Sequence, residues 1–91
     1  MTIIKLKTPV KHGEEEITEL KFRKPIAKDL RNFNISDLNN FGKTIQISSI
    51  LTGLPESIVA SIDGGDLMKC HFVIDNFFLN SLEVLGNIWF V

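Results

Sequence analysis

Between Leu67 and Leu82, core-compatible residues recur as Leu67, Cys70, His71, Ile74, Phe77, Phe78 and Leu82, the spacing that puts side chains on one stripe of an α-helix. At about 1.5 Å per residue, such a helix spans roughly 25 Å, about the diameter of a domain of this size. It is therefore expected to be the central packing element. Phe72, Val73 and Leu79 widen the stripe beyond one face. A helix apolar on more than one face is either surrounded by its own chain or covered by a partner.

The rest of the chain must supply what packs against that helix. Residues Ile3 to Val10 alternate, with Ile4, Leu6 and Thr8 on one side and Ile3, Lys5 and Lys7 on the other. Residues 16–23 repeat the alternation with Leu20 and Phe22 on one face, while Ile17 is out of phase, which a bulge or a strand end near Thr18 reconciles. Pro9 through Glu15 supply turn residues, so the two strands form an antiparallel hairpin. Pro25 suits a first helical position, and Ile26, Leu30 and Phe33 predict a helix of about two turns. Ser36 is read as the N-cap of a second helix reaching about Thr52, with Leu38, Phe41 and Ile45 on one stripe and Gly53 as a left-handed stop. Pro55 opens a short helix from Glu56 to about Ile62, and Asp63 or Gly65 caps the last one. The expected architecture is α+β, an N-terminal hairpin packed against three to four helices. Residues 1–91 read as one domain, with a hairpin over 1–24, a helical part over 25–83 and an apolar tail over 84–91.

Charge excludes several function classes. The net charge is −1, but residues 1–31 hold eight Lys/Arg against five Asp/Glu, and residues 32–91 two against six. A chain of this balance has no overall pull toward phosphate backbones or anionic lipid. No apolar stretch reaches the roughly 18–20 residues that cross a bilayer, since Asn80, Glu83 and Asn87 interrupt Asn76–Val91. With one cysteine and no basic-then-apolar leader pattern at Met1–Lys5, the cytoplasm is expected.

The inventory for chemistry is thin. Cys70 and His71 are adjacent, so on a helix they point about 100° apart, and His12 is remote in a predicted turn. Neither a zinc site nor a Cys–His nucleophile follows. Asp63-Gly64-Gly65-Asp66 lacks both the calcium-loop and phosphate-loop spacings and reads as turn and cap. No cofactor and no catalysis are expected. What remains is apolar surface near the C-terminus, where Trp89 and Phe90 either fold back onto the core or dock on a partner.

The run Glu19-Leu20-Lys21-Phe22-Arg23-Lys24-Pro25-Ile26-Ala27-Lys28-Asp29-Leu30-Arg31 resembles the signature of phage tail assembly chaperones of the Mu-like, contractile-tail type, in which a strand ends in arginine, proline follows, and an Asp-Leu pair comes four residues later. Ile4 to Val10, and Leu51-Thr52-Gly53-Leu54-Pro55 with Ile58, Ile62 and Asp63, are similar to it too. The resemblance implies a chaperone that coats the phage tape-measure protein until tail-tube subunits polymerise around it, with tail-tube protein and self-association as further contacts. No nucleic acid or membrane partner is implied. Helix-in-groove recognition then points to Phe77, Phe78, Leu82, Leu85, Trp89 and Phe90 as partner-binding residues, while Arg23, Pro25 and Asp29 form a structural joint between hairpin and helix. The alternative is a small prophage regulatory or nucleic-acid-associated protein using the basic hairpin.

Overall fold

The computed structural model describes residues 2–34, 36–37 and 40–90, with side chains as far as Phe77. Strands β1 (Thr2–His12) and β2 (Glu15–Phe22) pair antiparallel through a turn in which Gly13 takes φ 68°. A 3₁₀ turn (Ala27–Leu30) leads to helices α1 (Phe41–Thr52), α2 (Glu56–Val59) and α3 (Gly64–Phe90). The α+β expectation holds: α1 packs on α2 and α3, β1 lies against α3 and α2, and β2 lies against α1. The core joins Ile4, Leu6, Leu20 and Phe22 of the hairpin to Ile47, Leu51, Ile62, Cys70 and Ile74. A two-stranded ribbon has one apolar face to hide, and here the helices hide it.

The hairpin register breaks where Ile17 fell out of phase. Pairing runs from Thr2↔Phe22 to Lys5↔Glu19, then resumes at Val10↔Ile17, so Leu6, Lys7, Thr8 and Pro9 stand opposite Thr18 alone. The extra residues lie in β1, and they turn Thr8 out to solvent instead of beside Ile4 and Leu6. The bulge frees two backbone donors, since Pro9 carries no N–H. Both find one acceptor: Lys7 N donates to the Asp66 carboxylate at 3.0 and 2.9 Å, and Thr8 N donates to its Oδ2 at 3.3 Å. Asp66 itself is fully buried in the first turn of α3.

Four helix boundaries differ from the sequence pattern. The helix expected after Pro25 is one 3₁₀ turn, because short polar side chains capture the backbone beyond it: Asn34 N donates to Asp37 Oδ2 at 2.8 Å. Asn40, and not Ser36, caps α1, its Oδ1 accepting from Lys43 N at 3.2 Å; Leu38 lies outside the described residues. The stop at Gly53 holds, at φ 77°. Helix α2 ends at Val59, and α3 opens at Gly64 with Asp63 as its cap, the carboxylate accepting from Gly65 N and the carbonyl from Leu67 N, both at 2.9 Å. Beyond residue 83, where a tail was expected, the α3 backbone stays helical to Phe90. No proline interrupts it, and a lone Gly86 costs only about 1 kcal/mol.

Candidate functional site

Large apolar side chains left in water mark where this surface departs from an ordinary one. Met68 and Phe72 stand four residues apart on α3, so they share a face; they are 40% and 63% exposed. The Asn40 cap starts α1 at Phe41, which is 44% exposed and lies with its ring 5.2 Å from that of His71. His71 in turn lies 6.2 Å from Phe72. Phe41 and Phe72 thus flank the buried His71 from α1 and α3, with Met68 on the Phe72 side.

His71 is the fixed element beneath this face. It is nearly buried, with Nδ1 3.3 Å from Thr44 Oγ1 and Nε2 3.1 Å from Asp75 Oδ2. Thr44 Oγ1 also donates to the Asn40 carbonyl at 3.2 Å, so the imidazole is tied to the start of α1 and to its own helix together. In contact with both α1 and α3, the imidazole thus sits beneath the exposed aromatics. Burying such a side chain fully against a partner contributes about 1.5–3 kcal/mol. Methionine beside aromatics also adapts to varied partner shapes.

Of the residues expected at the partner surface, Phe77 is half-buried and packs on the core cluster. Phe78, Leu82, Leu85, Trp89 and Phe90 lie on α3, and their side chains fall outside the described residues. Sequence reasoning missed Met68 and assigned Phe41 to the core stripe of α1. The signal that was present is the Met68–Phe72 spacing of four, off the main stripe of α3.

Arg23 and Asp29 meet as a two-pronged pair, Nη1 to Oδ2 at 2.7 Å and Nη2 to Oδ1 at 2.9 Å. The Arg23 hydrogen bonds, then that of the Ile26 N–H at 2.8 Å, push the Asp29 carboxyl down to about 2. Arg23 N also donates to Leu51 O at 3.1 Å, so the end of β2, the 3₁₀ turn and the last turn of α1 converge on these two residues, with half-buried Pro25 between them in the chain. The carboxylate side is buried, which an ordinary surface pair is not.

Three of the hairpin's cations lie beside carboxylates. Lys5 stands opposite Glu19 and Lys11 opposite Glu16, and Lys21 Nζ lies 3.8 Å from Glu19. Among the described residues no group of three or more His, Cys, Asp or Glu side chains gathers as a metal site would, and no helix is long and apolar enough to cross a membrane. Burial pushes the Cys70 thiol up to about 11, the opposite of what a nucleophilic cysteine needs.

Residues 3–79 match a family model described as "Phage tail assembly chaperone proteins, E, or 41 or 14". No curated protein and no solved structure matches the chain.

Proposed function

Because the chain belongs to the phage tail assembly chaperone family, a family of chaperones and not of enzymes, we propose that it binds its phage's tape-measure protein in the bacterial cytoplasm and keeps it soluble until tail-tube subunits assemble around it. The observation that carries this reading is the exposure of Phe41, Met68 and Phe72 around the buried His71. A long helical client offers apolar stripes, and a surface of this kind covers them in the helix-on-groove manner. In this reading Phe77, Phe78, Leu82, Leu85, Trp89 and Phe90 extend the contact along α3, and tail-tube protein and further copies of the chain are secondary contacts.

Co-expression with the tape-measure protein tests it. Phe72→Glu combined with Met68→Glu alters only exposed positions, so the variant keeps its helical circular dichroism while soluble tape-measure protein falls to the level seen without the chaperone. A folded double variant that still keeps the client soluble refutes the assignment of this face. Client binding by the native chain persists in salt, whereas phosphate contacts weaken steeply. Recovery of nucleic acid in place of a protein client reverses the functional reading.

A further inference from the structure

On α1, Phe41 and Ile50 are nine residues apart, so they lie about half a turn from each other around the helix axis. The buried residues Thr44, Ile47, Ser48 and Leu51 occupy the sector between them. The Phe41 side belongs to the face described above. The Ile50 side opens on a cleft of about 150 Å³ between α1 and the 3₁₀ turn, floored by Phe33, Ile47 and Ile50. A space of that size accepts one phenyl-sized group.

The rim of this cleft is cationic. Lys28 and Arg31 line it, both exposed and neither in an ion pair among the described residues. The one carboxylate in the lining, Asp29, is already neutralised by Arg23. Ile50, in the lining, is 40% exposed, so the cleft presents apolar surface as well as charge. An apolar floor with a short cationic rim fits poorly to nucleic acid, which needs exposed stacking rings and a run of cations along the strand. It fits a helix that carries one large apolar side chain with carboxylates a turn to either side of it.

We propose that this cleft is a second docking site, taking an acidic amphipathic helical segment of a protein partner, with one large apolar side chain on Phe33, Ile47 and Ile50 and its carboxylates against Lys28 and Arg31. The site is separate from the Phe72 face and is charge-selective where that face is not.

The probe is a fluorescent helical peptide of about five turns, with a leucine stripe flanked by glutamates, set against the same peptide with lysines for glutamates and against an oligothymidine. Anisotropy is read on the full chain, on Phe72→Glu, and on Lys28→Glu combined with Arg31→Glu, each checked by circular dichroism. The acidic peptide binds the native chain and Phe72→Glu alike, loses at least about tenfold in affinity on the charge-reversed variant, and the lysine peptide gains there. The proposal is overturned if charge reversal leaves acidic-peptide binding unchanged, if Phe72→Glu removes it, if the oligothymidine takes the cleft instead, or if charge reversal alters only self-association of the chain. Tape-measure solubilisation measured on the same variants separates the two surfaces: its loss in Phe72→Glu without any peptide binding at the cleft removes only the second site. The converse removes only the first.

Discussion

Asp66 is buried, charged and far in sequence from the groups it serves. Burial pushes its pKa up, but hydrogen bonds from Lys7 N and Thr8 N, with Lys69 3.3 Å away, outweigh that and leave it lowered. Asp66→Ala strips both β1 donors of their acceptor inside the protein, and a loss of about 2–4 kcal/mol is expected, measured by urea unfolding. Asp29 and Asp66 share a sign: each has a lower pKa folded than unfolded, so the unfolded chain binds more protons as acid is added. Stability is therefore full above the ordinary carboxylate range near pH 4 and declines toward about pH 2. Asp29→Asn flattens that decline, read from urea midpoints across the window, and an unchanged slope refutes the role of the Arg23 pair. Arg23 and Asp29 lie six residues apart, so their meeting was legible in the sequence. Asp66 was not, because its partners are backbone groups 59 and 58 residues away that only a bulge sets free.

At the scale of elements, strand alternation and helical period located both strands and all three α-helices, while several boundaries shifted. Boundaries depend on which polar side chain captures a free backbone donor, and Ser36, Asn40, Asn34 and Asp37 compete for that role within a few residues. The structure gives the N-cap of α1 to Asn40. Asn40→Ala is therefore expected to cost about 1 kcal/mol, and Ser36→Ala close to nothing, by thermal or urea unfolding. The reverse order of the two costs refutes this start for α1. The out-of-phase Ile17 did signal an irregular hairpin. Which strand carried the extra residues was decided by the register, with Val10 and Ile17 facing each other again beyond the bulge.

Across the whole molecule, the hairpin has no stability of its own to contribute. Leu20 and Phe22 are covered by helices, not by a third strand. A peptide of residues 1–24 should show no sheet signal in circular dichroism, and a folded spectrum would refute this division of labour. The family was read from the resemblance of the Glu19–Arg31 run, and it is α1, touching α2, α3, β2 and the 3₁₀ turn, that holds the centre of the packing. The α+β class and the long C-terminal helix were within reach of one-dimensional patterns, because period and turn chemistry are properties of neighbours along the chain. Which apolar residues remain in water was not. Periodicity puts Phe41 on a helical stripe and the resemblance puts Phe77 at the partner surface, yet Phe41 is 44% exposed and Phe77 packs inward. Exposure depends on how α1 crosses α3 and where His71 wedges between them. That crossing is fixed by contacts such as Thr44 to His71, whose members lie 27 residues apart, and no local pattern encodes it.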